Sequence, residues 1–285
     1  MRKVSKGRIH IVIGDTQAKS GVPTGHLRWV GQYLVDQFAG QDVSIVHLGD
    51  HWDMPSLSSY DRGRKEMEGR RYKKDIAAGN AAMIILTQPL RDYNKGRRRP
   101  WKPDMHFLLG NHEDRITRAA SESAHLDGTV TLDDLNAAKL GWKVHPFLEP
   151  LRIDGVTYSH YFYHPNTGRP YGGENLYTRL KTIGYSFTMG HQQGLSTAIR
   201  PVGKTRHYGL VLGSTYLHDE KYLGPQGTAY WRGIVVCHQV ENGTYDSMLV
   251  SLEYLCRRYE GMTIKQYLAQ LRAKTEGAAN EKEVA

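Results

Sequence analysis

The sequence predicts an α/β chain with two facing β-sheets, on three observations. Two apolar strands flank a helix, and each strand closes on Gly-Asp, at Gly14-Asp15 and Gly49-Asp50. A third apolar run closes in the same manner on Gly110-Asn111. The second half is a succession of short strand-like runs, with no internal repeat and no low-complexity linker separating it from the first.

The elements follow in order. Residues 8–13 (Arg-Ile-His-Ile-Val-Ile) read as a strand, and Gly21 and Pro23 mark the loop after it. Leu27, Val30, Leu34 and Phe38 recur at helical spacing and predict a helix over about 25–38. Val43 to Leu48 read as the next strand, which completes a βαβ unit with its chemistry at the carboxyl ends. Residues 54–103 are a basic excursion containing a helical stretch, Asp75 to Leu90, before the strand Met105 to Leu109. Five further strands are expected at 156–161, 186–189, 208–212, 233–239 and 247–252. Asn242-Gly243 predicts a tight hairpin between the last two. Ile264, Tyr267, Leu268 and Leu271 predict a final amphipathic helix. The reading is one domain over 1–274 with a basic helical insertion at about 54–103, and a polar, disordered tail at 275–285.

Composition sets outer limits. Hydrophobic residues make up 39% and charged residues 24%, ordinary for a globular chain. No apolar run approaches the ~20 residues that span a bilayer, and no signal-peptide core follows the basic start, so a cytoplasmic protein without membrane contact is expected. Cys237 and Cys256 lack CxxC spacing and lie in apolar stretches, which makes them core residues. The formal charge of +9 fits a polyanionic partner without requiring one.

The chemistry rests on recurrence. An apolar strand, a glycine or small residue, and then a metal-type ligand occur at Gly14-Asp15, Gly49-Asp50, Gly110-Asn111, Ser159-His160 and Gly190-His191. Glycine is expected to permit the tight turn that aims each side chain over the strand ends. Carboxylates, an amide oxygen and imidazoles suit Mn²⁺, Fe²⁺, Mg²⁺ or Zn²⁺. A carboxylate after the second strand is placed to bridge two ions ~3.5–4 Å apart.

These residues carry a family resemblance over 9–193. Asp15-Thr16-Gln17, Gly49-Asp50-His51-Trp52-Asp53, Gly110-Asn111-His112-Glu113, His160 and Gly190-His191-Gln192-Gln193 resemble the D-x-H, GD-x-x-D, GNH-[DE], H and GH-x-H motifs of calcineurin-like metallophosphoesterases. The overall look is closest to uncharacterised members found in bacteriophage genomes, for which the compartment would be the host cytoplasm. The resemblance implies a four-layer α/β/β/α sandwich with two facing mixed β-sheets and two divalent ions at the sheet ends. By it, Asp50 bridges the ions, Asn111, His160 and His191 complete one site, and Asp15 belongs to the other. His112 is implied to face the phosphate or leaving-group oxygen as a general acid or charge stabiliser, its imidazole held by Asp53.

Gln17 and Gln193 depart from the pattern, standing where the family has histidines. Both fall on the Asp15 site. Amide oxygens are neutral, hard ligands, so that site is expected to be the weaker one and to prefer Mn²⁺ or Mg²⁺.

Two basic runs, 62–74 and 95–102, are expected to rim the site together, with Tyr60, Tyr72 and Trp101 as candidate stacking partners; solvated helix and loop faces are the plain alternative. Arg169 is the candidate phosphate contact from the loop after His160. Tyr216 is a candidate cleft residue, and His218 reads as structural. Asp61-Arg62-Gly63 imitates part of a protein-phosphatase motif but lies beyond the second motif, and reads as coincidence. The expected activity is metal-dependent hydrolysis of a phosphodiester, with nucleic acid as a possible substrate. A phosphomonoesterase, or a binding scaffold with a weakened site, are the alternatives.

Overall fold

The computed structural model describes residues 7–164, 166–173, 175–220, 224 and 229–284, and for 275 and 277–284 the backbone alone. The chain forms two mixed sheets. In the first, β1 (Arg8–Ile13), β2 (Val43–His47), β3 (Asp104–Leu108) and β4 (Lys143–His145) run parallel. The hairpin β10 (Gly233–Glu241) and β11 (Thr244–Ser251) joins it antiparallel beside β1, giving the order β11-β10-β1-β2-β3-β4. Its turn has φ 51° at Asn242 and 80° at Gly243, the left-handed pair that the Asn-Gly dipeptide supplies. The second sheet has the order β5 (Leu151–Ile153), β6 (Val156–Ser159), β7 (Phe187–Met189), β9 (Thr205–Val211) and β8 (Ser196–Val202).

Strand periodicity explains the layering. Successive side chains point to opposite faces. Ile11, Ile13, Ile45, Phe107, Ile234 and Val236 enter one core under α1 (Leu27–Phe38) and α2 (Tyr72–Asn94). Their alternates Val12, Val46, Leu108, Val235 and Cys237 meet Val156, Tyr158, Leu210 and Leu212 between the sheets. Phe187, Met189 and Val211 face a third core under α4 (Leu176–Ile183). The result is a four-layer α/β/β/α sandwich, and it explains why the central strands read as continuous apolar runs. One polar tie crosses the middle layer: the Tyr158 hydroxyl donates to His10 Nδ1 at 2.7 Å. Both cysteines are fully buried core residues.

Several elements differ from expectation. β4, β5 and β8, together with α3 (Asp114–Glu122), α4 and α5 (Leu252–Glu260), are additional. The last helix, α6 (Ile264–Val284), carries the backbone helical through most of the segment expected as a disordered tail. No helix among the described residues is long and apolar enough to cross a membrane.

The two basic runs do not share one rim. Arg62 and Arg70 lie in the loop beside the carboxyl ends of the first sheet, where Arg70 donates to Pro55 O. Residues 95–102 follow the far end of α2, and Trp101 Nε1 donates to Gln41 O just before β2. Nearly the whole of α2 separates them, about 30 Å along its axis. Of the three candidate stacking residues, Tyr60 is exposed, while Tyr72 is tied to Asp134 and Trp101 is buried.

Candidate metal centre

Asp15, Asp50, Asn111, His160 and His191 follow the carboxyl ends of β1, β2, β3, β6 and β7, and the loops that carry them are stitched together. The N–H groups of Thr16 and Gln17 donate to Asp50 O at 3.2 and 2.9 Å. His112 N–H donates to Asp50 Oδ1 at 2.9 Å, and His191 N–H to Asp15 Oδ1 at 3.2 Å.

The motif glycines serve mainly close approach. Gly49 alone among them has a left-handed φ, 97°. At Gly110 an added Cβ would lie 2.2 Å from Asp50 Oδ1, and at Gly190 2.7 Å from Asp15 Oδ1. The expectation of a turn at every motif glycine is therefore corrected: two of them make room for a carboxylate. The left-handed positions belong to the ligand candidates themselves, with φ 39° at Gln17, 50° at Asp50, 65° at His191 and 59° at Gln193. Such conformations cost on the order of 1–3 kcal/mol each and persist only where surroundings impose them.

Glu113 imposes one of them, a role that sequence reasoning missed. Its buried carboxylate accepts the N–H groups of Asp50, His51, Trp52 and Gly110 at 3.0, 2.7, 2.9 and 2.8 Å. Burial drives its pKa up, to about 7, with Asp50 adding to the push and the N–H donors pulling against it.

Asp50, His160 and His191 offer ligand atoms within 4.8 Å of one another, the separation that one ion with bonds of about 2.1 Å closes by small side-chain shifts. His160 Nδ1 donates to Leu48 O at 2.7 Å, which leaves Nε2 as the free nitrogen. That Nε2 faces Asn111 Oδ1 at 2.9 Å and Asp50 Oδ2 at 3.3 Å. A lone pair against two oxygens needs a positive charge between them, a proton or a metal cation. Burial alone would lower the His160 pKa, but Asp50 outweighs it and raises it to about 9. Burial would raise the Asp50 carboxyl; His112 and His160 outweigh that and hold it low. His191 is pushed down to about 4 by burial and then by His160, which suits a neutral ligand. Asp15 is pushed up to about 6 by burial and by Asp50. Asp15 Oδ2 and Gln17 Oε1 are buried acceptors without a hydrogen-bond donor. The donor set therefore fits a divalent cation.

Gln193 stands differently. Its Oε1 accepts the Tyr216 hydroxyl at 2.7 Å, and Tyr216 is buried.

His112 sits on the rim, its side chain 14% exposed, with Nε2 3.8 Å from Asp50 Oδ2. Its Nδ1 is 2.9 Å from Asp53 Oδ1, an ion-pair contact. Burial lowers its pKa, but Asp50 and Asp53 outweigh it and raise it. Arg115 donates to Asp53 O and Met54 O and so holds that turn.

Arg169 is exposed, and its backbone closes a turn with His164. The buried arginine of this region is Arg179, which donates to Gln192 Oε1 and to the carbonyls of Gly172 and Gly173. His218 pairs with Glu220, and Arg70 pairs with Asp61 at 2.6 Å, so the Asp61-Arg62-Gly63 segment is tied locally.

No protein-family model matches the sequence, and no curated protein matches it. Among solved structures, the Thermus thermophilus sulfate thiohydrolase SoxB, in complex with glycerol, is similar at 7% identity and a TM-score of 0.40, over 98% of this chain and 62% of that one. This chain thus spans less than two thirds of that chain's length.

Proposed function

We propose that the chain is a metal-dependent hydrolase of phosphate esters. The observation that carries this is the convergence of His160 Nε2, Asp50 Oδ2 and Asn111 Oδ1, with His112 held beside it on the rim. Asp50, Asn111, His160 and His191 would hold one divalent cation; Asp15, Gln17 and Asp50, with Gln193 as a further candidate, would hold a second, weaker one. When bound, such ions polarise a phosphoryl oxygen and lower the pKa of a water nucleophile. His112, whose protonated form Asp50 and Asp53 favour, presents Nε2–H to the departing ester oxygen and supplies its proton. Glu113 fixes the backbone that aims Asp50. Mn²⁺ or Mg²⁺ suits the amide-bearing second site, with Fe²⁺ or Zn²⁺ as alternatives at the first.

A groove beside the site is lined by Ser56, Ser58, Arg62, Arg115 and Arg118. Arg62 and Arg118 pair there with Glu122 and Asp114, and the remaining basic character supports our reading of a phosphodiester or nucleic-acid strand ahead of a monoester. A second reading, a scaffold with a weakened site, draws on one observation: the Gln193 oxygen is engaged by Tyr216. Hydrolysis of bis-p-nitrophenyl phosphate by metal-stripped protein titrated with Mn²⁺, Mg²⁺ and Zn²⁺ separates them. Turnover restored by metal and lost in His112→Ala and Asp50→Ala is the expected result. Absence of both turnover and metal binding favours the scaffold.

A further inference from the structure

Behind His112 and Asp53 lies a row of charges that the proposed chemistry does not use. Asp53 Oδ2 is 3.2 Å from Lys19 Nζ, and the same ammonium lies 2.6 Å from Glu220 Oε1. His218 Nε2 closes on that same Glu220 oxygen, and its ring stacks on Tyr216 with centroids 4.5 Å apart. Asp53 and Glu220 side chains are 10% and 9% exposed, and Lys19 is 20% exposed. Three loops meet here, those after β1, β2 and β9. Backbone bonds fix the first two in register: Ala18 N–H donates to His51 O at 2.7 Å, and Asp53 N–H to Ala18 O at 3.1 Å.

We infer that Lys19 is a positioning residue for His112, acting through the Asp53 carboxylate; the catalytic part of this rests on the phosphoesterase reading above. His112 Nδ1 holds one oxygen of that carboxylate at 2.9 Å, and the plane depends on what holds the other. The Lys19 ammonium, 3.2 Å from that other oxygen, is the second point that fixes the plane. One cation also lies between two buried acids: without it, Asp53 keeps only His112 and Glu220 only His218, the two carboxylates repel each other unscreened, and the Asp53 carboxylate turns away from the repulsion. Arg115 approaches the Asp53 carbonyl, and so cannot hold the carboxylate from its side. Glu220, by anchoring Lys19, joins the loop after β9 to the rim of the site.

The test has two arms. In the first, the ¹⁵N shifts of the His112 ring are read at one fixed pH in full-length, metal-free protein, assigned by their loss in His112→Ala. Lys19→Met is expected to move them, Lys19→Arg to restore them, and Glu220→Gln to move them less. In the second, turnover of bis-p-nitrophenyl phosphate with Mn²⁺ is expected to lose about tenfold to a hundredfold in kcat in Lys19→Met, with KM within about twofold and recovery in Lys19→Arg. Urea midpoints check folding; if Lys19→Met unfolds, Lys19→Gln makes the same comparison. Ring shifts unchanged in the folded neutral variant overturn the inference, whatever the activity. Wild-type protein with neither turnover nor metal binding overturns the phosphoesterase reading instead, and leaves the first arm standing because it needs no substrate.

Discussion

His160 Nδ1 lies 2.7 Å from the backbone oxygen of Leu48, and that bond decides which nitrogen of the ring is left to face Asp50. Leu48 directly follows β2, so the orientation of a ligand on the second sheet is set by the first. The two sheets thereby meet at the site through one imidazole. His160→Ala removes a ligand and this tie together. It should lower Mn²⁺ affinity by more than about tenfold, as read by calorimetric titration, because even indirect partners of metal ligands are worth 10–100-fold. Affinity equal to wild type would place the cation elsewhere.

Glu113→Gln tests the scaffold beneath Asp50. The carboxylate accepts four N–H groups, and a glutamine would turn an amide NH₂ toward two of them, the pair on one oxygen. Each buried donor left unpaired costs about 1–3 kcal/mol, so a loss of roughly 2–6 kcal/mol is expected in urea unfolding of the metal-free protein. A change below about 0.5 kcal/mol, the range of ordinary surface substitutions, would mean that the turn holds itself.

Gly110→Ala and Gly190→Ala separate the two halves of the metal centre. The first places a Cβ 2.2 Å from Asp50 Oδ1 and the second 2.7 Å from Asp15 Oδ1, so each displaces one carboxylate without removing its charge. Gly110→Ala should abolish tight Mn²⁺ binding. Gly190→Ala should leave the Asp50, His160 and His191 cluster able to bind and weaken only the second ion. Equal losses in both would show that the two carboxylates serve one shared ion.

What the sequence made legible follows the buried strands. Ile11 to Ile13, Ile45 to Val46 and Phe107 to Leu108 are covered on both faces, so their apolar runs stand out and the residues after them are found with them. α3 left no such trace, because only Ile116 of its nine residues is buried. β4 and β5 are three residues each, too short for a period to appear. β8 alternates half-buried and exposed side chains and carries Pro201, as an edge strand can. The tie points Lys19, Glu113, Arg179 and Glu220 were illegible for another reason. Each is defined by a partner brought near only by folding, as Lys19 and Glu220 are across 201 positions. The run 95–102 shows the converse, since charge in a sequence carries no direction and here it lies at the wrong end of a helix.

His26 gives the fold a pH dependence of its own. It is buried, donates through Nε2 to Thr215 O at 3.1 Å, and has its pKa lowered by burial from 6.5 to about 4. Above pH 6.5 the ring is neutral in both folded and unfolded chains and contributes no slope. Between 6.5 and 4 the unfolded chain takes up a proton that the folded one refuses, so stability falls as pH falls, by up to about 3 kcal/mol. His26→Phe should therefore be less stable than wild type at pH 7.5, through the lost bond to Thr215, and the gap should narrow by pH 4.5. Urea unfolding in EDTA at both pH values reads the difference, and a constant gap would show that His26 is protonated inside the fold.

On the proposed reading, the two glutamines set the number of tightly held ions. Gln17 Oε1 is buried without a donor, whereas Gln193 Oε1 already accepts from Tyr216. Neither carries charge, and Asp15, pushed up to about 6, ionises less readily than an ordinary carboxyl. Wild-type protein should thus bind one Mn²⁺ tightly and a second only at much higher concentration. Gln17→His introduces an imidazole at a position whose left-handed backbone histidine tolerates better than most residues, and it should tighten the second ion without altering the first. Gln193→His must also break the Tyr216 bond and should gain less. Two ions bound with equal affinity in the unaltered protein would show that Asp15, Gln17 and Asp50 suffice, and that the departure from histidine at these two positions has no consequence for metal.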